Sequence, residues 1–128
     1  TVVEERSRHS ESKTLVANPG GALTKVKLII LVNGGSASAA EIAAGALKDN
    51  GRATLVGEKT YGKGSVQEIK NLSDGNQLKV TVAHWYTPKG VNISKEGIAP
   101  DVEVKNSSED YNAGRDPQLD KALELAAQ

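Results

Sequence analysis

Two serines, Ser36 and Ser38, are the first residues along the chain whose type and position suit covalent chemistry. Both follow an apolar run that ends in Gly34-Gly35, and both stand at the start of an Ala-rich segment typical of a helix. Unpaired backbone N–H groups and the positive end of a helix dipole stabilise a developing oxyanion at such a place. Ser38 is therefore a candidate nucleophile, with the N–H of Ala39 as a candidate oxyanion donor.

The same segment also fits a purely structural role. Residues 38–41, Ser-Ala-Ala-Glu, form the pattern of a capping box, in which Ser38 and Glu41 each accept a hydrogen bond from the other's N–H. Ser36 competes with Ser38 as either cap or nucleophile. The segment falls one residue short of the G-x-S-x-G motif, because Ser38 stands where the second glycine is needed.

Lys63, between Gly62 and Gly64, is a candidate general base. A free lysine is almost entirely protonated at pH 7, so a lysine base has to lose part of its hydration. Glycines on both sides allow the backbone to pack closely around the amine and bury it. The alternative is that Lys63 is a solvated loop charge.

Two other patterns offer competing chemistries. Asp49 and His84 have the chain order of a Ser…Asp…His triad, but His84 alternates in phase with apolar residues, which favours a role as a strand residue. Residues 57–64 nearly match the phosphate loop G-x-x-x-x-G-K-[ST]. Gly64 replaces the residue that binds Mg²⁺, and strand-like sequence follows where a helix is required. Nucleotide binding is therefore the weakest alternative.

The composition excludes several classes of function. The 128 residues include 16 Lys+Arg, 16 Asp+Glu, two His and no Cys. Zero net charge supplies no basic field for nucleic acid or an anionic membrane surface. The lack of Cys excludes disulfides and thiolate metal sites, and a zinc site would need mostly carboxylates. The longest apolar run, Leu28 to Val32, is far below the roughly 20 residues of a membrane span, and no signal peptide is apparent.

The candidate residues need elements that bring them together, and the sequence predicts a βαβ unit. Val26 to Val32 predicts a central parallel strand buried on both faces, Ser38 to Asn50 a helix and Arg52 to Gly57 a second strand. Ser38 and Lys63 would then meet at the carboxyl edge of the parallel strands, where sites commonly form.

The flanking segments predict antiparallel strands and a final helix. Asn18 to Gly21 predicts a turn, and Asp116 caps the last helix with Pro117 at its first position. Residues 106–115 form a polar stretch before that helix. Short strands are predicted in four further places: a polar hairpin within 1–17, a hairpin around Asp74-Gly75 within 65–86, and single strands at 91–93 and 102–104.

The run LVNGGSASAAEIAAGALKDNGRATLVGEKTYGKGSVQ, residues 31–67, resembles the core of the C-terminal processing peptidases, also called tail-specific proteases. The resemblance covers roughly residues 26–104 and includes the later motifs TPKG and GIAPDVEV. It implies a serine endopeptidase that uses a Ser/Lys dyad to cleave proteins near their C-termini.

Position by position, the resemblance implies that Ser38 is the nucleophile, Lys63 the general base and Gln67 the residue that orients the lysine. The N–H of Ala39 would be one oxyanion donor. Asp49 matches a recurrent acidic position without an assigned role. The letters NPGG at 18–21 resemble the family's glycine-rich oxyanion segment, but they directly precede the nucleophile strand, so the second donor stays unassigned.

The resemblance also implies a crotonase-like α/β fold, a βαβ core with an added antiparallel hairpin and a C-terminal helix. Residues 1–128 are expected to form a single domain, a partial core without the PDZ domain and upstream strands of the family. Implied substrates are proteins with unstructured C-termini, in a periplasmic, cell-envelope or secreted location, with no cofactor, metal or nucleic acid. The alternative is a noncatalytic peptide-binding or assembly module in which Ser38 only caps a helix.

Overall fold

The computed structural model of the chain describes residues 1–21 and 23–128. Among these residues, none of the helices has the length and apolar character needed to cross a membrane. The elements, in chain order, are β1 (Val3–Ser7), β2 (Lys13–Leu15), β3 (Ile29–Val32), α1 (Ala39–Asp49), β4 (Thr54–Gly57), β5 (Ser65–Asn71), β6 (Gln77–Tyr86), α2 (Ile93–Glu96), β7 (Val102–Glu103), α3 (Ser108–Asn112) and α4 (Pro117–Ala127).

Three strands form a parallel sheet in the order β3-β4-β7. Helix α1 connects β3 to β4, so the predicted βαβ unit is present with its predicted helix. Val32 at the end of β3 is paired with Gly57 at the end of β4. The turn before α1 and the loop after β4 therefore leave the sheet at the same edge.

Strand β3 differs from its prediction in length and in position. It begins at Ile29 rather than Val26, and within residues 1–21 and 23–128 it lies at an edge of the parallel sheet. Leu31 on this strand is 43% exposed. The apolar, β-branched sequence of this strand is compatible with burial on both faces, but it does not decide where the strand lies in the sheet. That position depends on which neighbouring strands pair with it.

The other four strands form an antiparallel sheet in the order β2-β1-β6-β5. The pair β1-β2 is the predicted polar hairpin. Strands β5 and β6 form the second predicted hairpin, in which Asn71 pairs with Gln77 across a turn that includes Asp74 and Gly75.

Two short helices lie where the sequence predicted other structure. At residues 91–93 a strand was expected, but Asn92 Oδ1 accepts a hydrogen bond from the Ser94 N–H at 3.0 Å and caps α2. Helix α3 lies within the polar stretch 106–115, where Asp110 and Ser107 form a capping box. Side-chain to backbone hydrogen bonds therefore decide both places. They override the strand-like alternation of Val91 and Ile93, and residues 106–115 have no apolar period.

The hydrophobic core joins the two sheets. Trp85 of β6, in the antiparallel sheet, packs against buried residues of the parallel sheet and its helices. Helix α4 closes the chain with the predicted cap, in which Asp116 Oδ1 accepts from the Leu119 N–H at 3.0 Å. The buried residues of the cluster that Trp85 contacts are Val32, Ala44, Leu55, Ile93 and Ile98.

Candidate active site

Ser38 lies at a sharp turn between β3 and α1. Its φ of 58° and ψ of −120° depart from the extended conformation usual for a helix cap. In the described part of the chain it is the only residue other than glycine with a positive φ. Such residues are uncommon, and they concentrate at functional sites because the surrounding structure has to hold them in place.

The contacts of Ser38 differ from those of a simple cap. Its N–H donates to Glu41 Oε2 at 2.9 Å, as the predicted capping box requires. In the other direction, the Ser38 carbonyl oxygen accepts from the Glu41 N–H at 2.9 Å, so the hydroxyl lies near that amide without a regular capping hydrogen bond. Ser38 is exposed, as a residue that reacts with an incoming substrate has to be.

Ser36, the competing serine, is held within the turn after β3. Its hydroxyl accepts from the Asn33 N–H at 3.2 Å, and its own N–H donates to the Asn33 carbonyl oxygen at 2.9 Å. Its carbonyl oxygen accepts from the Tyr61 N–H at 3.0 Å. These contacts give Ser36 a structural role in the turn and leave Ser38 as the better candidate nucleophile.

The Ala39 N–H belongs to the first turn of α1, where the helix itself provides no acceptors for the amides. The next two amides, those of Ala40 and Glu41, donate to the carbonyl oxygens of Ala37 and Ser38. The Ala39 amide thus lies beside Ser38 at the positive end of α1, a position that suits stabilisation of an oxyanion.

Lys63 lies in the loop between β4 and β5. The close packing predicted for its glycine neighbours is present at Gly64, where an added Cβ would lie 2.6 Å from the Cβ of Ile93. The predicted burial of the amine is absent, because Lys63 is exposed. The backbone of the loop packs against the start of α2, and this packing does not enclose the lysine side chain.

Glu41 connects the two candidate residues. It is fully buried, and its Oε2 accepts from the Ser38 N–H at 2.9 Å and from the Lys63 N–H at 2.8 Å. The two amide nitrogens are therefore no further apart than the sum of these distances. The other oxygen, Oε1, accepts from the Thr60 hydroxyl at 2.5 Å and from the Gly62 N–H at 2.7 Å. One carboxylate thus holds the start of α1 against the loop after β4.

The structure brings together the backbones of Ser38 and Lys63, whereas the contact between their side chains stays a prediction. Gln67 lies on β5, and its side-chain amide donates to Thr81 Oγ1 on β6 at 3.5 Å. Its predicted contact with Lys63 also stays a prediction. What the described geometry provides is an accessible serine at a helix start beside a loop that carries a lysine.

Comparisons with known proteins identify the family. The profile of peptidase family S41 matches residues 1–104. The chain belongs to peptidase family S41. The carboxyl-terminal-processing protease of Synechocystis sp. is 47% identical to it over 128 residues, which cover 98% of this chain and 30% of that protein.

Two further matches to this S41 chain are also C-terminal processing proteases by name. Carboxyl-terminal-processing peptidase 3, chloroplastic, from Arabidopsis thaliana is 57% identical over 84 residues, 66% of this chain and 16% of that protein. The solved structure of a photosystem II D1 C-terminal processing protease matches with a TM-score of 0.75 and 41% identity, over 81% of this chain and 27% of that one. This chain therefore spans less than a third of the length of these relatives, with which it shares an α/β fold.

The residues of the histidine alternative are engaged elsewhere in this S41 chain. Asp49 Oδ2 accepts from the Lys89 N–H at 2.9 Å and ties the end of α1 to the turn after β6. His84 lies on β6, as predicted for a strand residue, and its Nδ1 is 3.0 Å from Ser94 Oγ. Asp49 and His84 thus make separate contacts, and the structure does not assemble them with Ser38 into a triad.

The phosphate-loop alternative lacks its structural context. Residues 57–64 lead into strand β5, which begins at Ser65. A phosphate loop leads instead into a helix, whose N-terminal amides hold the phosphates. The strand predicted after this loop is confirmed.

Thr60 is a site residue that sequence reasoning missed, and Glu41 was assigned only a cap. Thr60 is 6% exposed, and its Oγ1 accepts from the Ile98 N–H at 2.7 Å while its hydroxyl donates to Glu41. The capping pattern predicted the hydrogen bond from the Ser38 N–H to Glu41. The other three hydrogen bonds to the Glu41 carboxylate come from a loop about 20 residues further along the chain, which the pattern does not reveal.

Proposed function

We propose that this chain is the catalytic segment of a serine endopeptidase of the C-terminal processing type, which cleaves proteins near their C-termini by acyl transfer. The observation that carries the proposal is the convergence of the Ser38 and Lys63 amides on one oxygen of buried Glu41. Relatives named as carboxyl-terminal-processing proteases support the same function at 47% and 57% identity.

In the first half of the proposed reaction, the neutral Lys63 amine accepts the proton of the Ser38 hydroxyl as Ser38 Oγ bonds to the peptide carbonyl carbon. The negative charge that develops on the carbonyl oxygen is stabilised by the Ala39 N–H and the positive end of α1. The C–N bond then breaks, and the Lys63 ammonium gives its proton to the departing amine.

In the second half, a water molecule gives a proton to Lys63 while its oxygen bonds to the acyl carbon. The bond to Ser38 Oγ then breaks, and Ser38 recovers a proton from Lys63. Gln67 orients the lysine in this proposal. Because Lys63 is exposed in this chain, the proposal also requires that bound substrate excludes water from the amine.

The finer description of the fold is part of the same proposal. The unit β3-α1-β4, the hairpin β5-β6 and the helix α4 correspond to a crotonase-like core with its additions. A TM-score of 0.64 to the tricorn protease, at 26% identity, supports that arrangement. Since the chain spans less than a third of its relatives, it would be the part of a longer peptidase that carries the dyad.

The proposed substrates are proteins with unstructured C-termini, which an extended peptide could present at the edge where Ser38 and Lys63 lie. An extracytoplasmic location is proposed from the resemblance to the C-terminal processing peptidases. Names of relatives that include the word chloroplastic are compatible with processing outside the cytosol.

The test uses the longest natural chain that contains these residues and an unstructured protein substrate with an apolar C-terminus. Mass spectrometry measures cleavage by the wild type, Ser38→Ala and Lys63→Ala, and both variants should lose at least about 10³-fold in rate. Matched controls are Ser36→Ala, two residues from the nucleophile, and Lys59→Ala, an exposed lysine four residues before the base. Both controls should retain most of the activity.

The outcomes distinguish the proposed peptidase from a noncatalytic module and test Lys63 as the base. Loss of cleavage in both dyad variants, with folding intact, supports the peptidase. Cleavage that persists in a folded Lys63→Ala variant means that another group is the base. A wild-type chain that cleaves no faster than Ser38→Ala supports the noncatalytic module, in which Ser38 only caps α1.

A further inference from the structure

Glu41 has no step in the proposed reaction, yet its carboxylate is saturated with hydrogen bonds. An ionised carboxylate offers about four acceptor positions. Here four donors occupy them, two on each oxygen, at 2.5 to 2.9 Å, and the residue has no exposed surface. A capping box by itself accounts for only one of the four, the N–H of Ser38.

We infer that Glu41 is a positioning residue for the Ser/Lys dyad, an inference that rests on the proposed function. Its Oε2 is shared by the amides of Ser38 and Lys63, so this one atom sets the separation of the two backbones. Its Oε1 fixes the direction of the loop through Gly62 and Thr60. Thr60 in turn is held by the Ile98 N–H, which connects the carboxylate to the hydrophobic core.

The capping box of α3 shows what the same motif does without tertiary partners. The Asp110 carboxylate accepts from the Ser107 N–H at 3.0 Å and from the Ser107 hydroxyl at 2.6 Å. Its other partner is Arg115, five residues away at an exposed position. All these contacts are local to α3, so Asp110 positions no other part of the chain and is a matched control for Glu41.

The substitution Glu41→Gln keeps the shape of the side chain but replaces one acceptor oxygen with an NH₂ donor. In one orientation of the amide, the NH₂ group faces the N–H groups of Ser38 and Lys63. In the other orientation it faces the Gly62 N–H and the Thr60 hydroxyl. Either orientation breaks contacts on one side of the site, and a displacement of about 1 Å between reacting groups can cost on the order of 10²-fold in rate.

The experiment measures kcat and KM separately in the longest natural chain that contains these residues, with circular dichroism and thermal melts to give the folded fraction. Glu41→Gln should lower kcat by about 10²-fold per folded molecule and change KM by no more than about threefold. Asp110→Asn removes the same charge from the matched capping box and should leave kcat unchanged. A purely structural role for Glu41 would lower only the folded fraction.

A second pair of variants keeps the test decisive if Glu41→Gln does not fold. Thr60→Val removes the hydroxyl while retaining the shape of the side chain, and it should lower kcat by about tenfold, whereas Thr60→Ser retains the hydroxyl and should stay near the wild type. A folded Glu41→Gln variant with wild-type kcat overturns the inference. If Glu41→Gln is unfolded, wild-type kcat in a folded Thr60→Val variant overturns it instead.

The control Ser38→Ala separates this inference from the proposed function. If Ser38→Ala abolishes cleavage but the Glu41 variants do not affect kcat, only the positioning role is wrong. If Ser38→Ala cleaves like the wild type, the dyad itself is wrong, and the positioning role is wrong with it.

Discussion

The two sheets of this chain differ in how much of their surface is covered. In the parallel sheet, Leu55 and Val56 of β4 are fully buried, and the proposed dyad lies at the carboxyl edge of this sheet. In the antiparallel sheet, the far end of the β5-β6 hairpin projects into solvent, with Ile69 62% and Leu78 49% exposed. The loop that carries Lys63 of the proposed dyad thus follows β4, whose residues Leu55, Val56 and Gly57 are buried, whereas the hairpin tip carries no proposed site residue.

The largest expected contrast between the sheets comes from two glycines with positive φ. Gly57, at the end of β4, has a φ of 129°, and an added Cβ would lie 2.0 Å from the Val32 carbonyl oxygen. Gly75, in the hairpin turn, has a φ of 82° and open space around it. Gly57→Ala should cost more than about 4 kcal/mol of unfolding free energy, and Gly75→Ala about 1 kcal/mol from backbone strain alone.

Chemical denaturation of the two variants measures both costs. Similar losses for Gly57→Ala and Gly75→Ala would mean that β3 and β4 can separate to admit a methyl group. The close pairing of the strands that lead to Ser38 and Lys63 would then be looser than the structure shows.

Two leucines on strands give the next largest effect. Leu55 of β4 is fully buried and belongs to the core cluster, whereas Leu78 of β6 is half exposed. Leu55→Ala should destabilise the chain by about 2–5 kcal/mol through lost burial and a cavity. Leu78→Ala should change stability by about 0.5 kcal/mol or less. Urea titrations, analysed with the same m-value, compare the unfolding free energies of the two variants. An equal loss of stability in Leu55→Ala and Leu78→Ala would mean that the Leu78 side chain is buried in an interface.

A smaller effect should depend on pH. Partial burial by itself raises the pKa of Asp101, but the hydrogen bond from the Leu55 N–H and the nearby Lys48 ammonium outweigh it and hold the pKa below its ordinary value of 3.8. Ionised Asp101 therefore stabilises the folded chain above pH 3.8, and this contribution is lost as the pH falls through the lowered pKa.

Asp101→Asn should accordingly cost about 1 kcal/mol at pH 7, since the side chain is partly solvated. The difference from wild type should shrink at pH values below 3.8. Asp74, in the exposed hairpin turn, has a pKa lowered by hydrogen bonds from Asn76 and is the matched control. Because Asp74 is fully exposed, Asp74→Asn should lower the melting temperature at pH 7 less than Asp101→Asn does. A pH-independent cost of Asp101→Asn would show that the carboxylate charge is not involved.

The smallest effect is expected from His84 on the antiparallel sheet. His84 contacts Ser94 and has no part in the proposed reaction, so His84→Ala should retain most of the cleavage rate. A folded His84→Ala variant without activity would instead make His84, on the antiparallel sheet, the candidate base.

The parts of the fold that the sequence predicted are those with local signals. Helix α1 has its cap at Ser38 and ends beside Gly51, and the β5-β6 hairpin has alternating strands around Asp74-Gly75. Helix α2 was missed because Val91 and Ile93 alternate like a strand, while the deciding contact is the cap at Asn92. Helix α3 was missed although it has a local signal, the capping pattern of residues 107–110.

In the candidate site, too, only the features set by adjacent residues could be predicted from the sequence. The helix start made Ser38 and Ala39 candidates and the flanking glycines made Lys63 one, since both are features of adjacent residues, while the roles of these residues came from the family resemblance and stay predictions. The position of β3 at an edge and the four donors around Glu41 depend on segments distant in sequence. No periodicity along the chain encodes such contacts, because pairing and burial are settled only when the whole chain has folded.

The loop after β4 has a consequence for hydrogen exchange. The Lys63 side chain is exposed, but the N–H groups of Gly62 and Lys63 donate to a carboxylate without solvent contact. Their deuterium uptake should therefore be as slow as that of core strands, although the segment is a surface loop. A loop of this kind opens only in larger, rarer fluctuations that also release the start of α1. The backbone that carries the proposed base Lys63 would therefore already be ordered before a substrate binds.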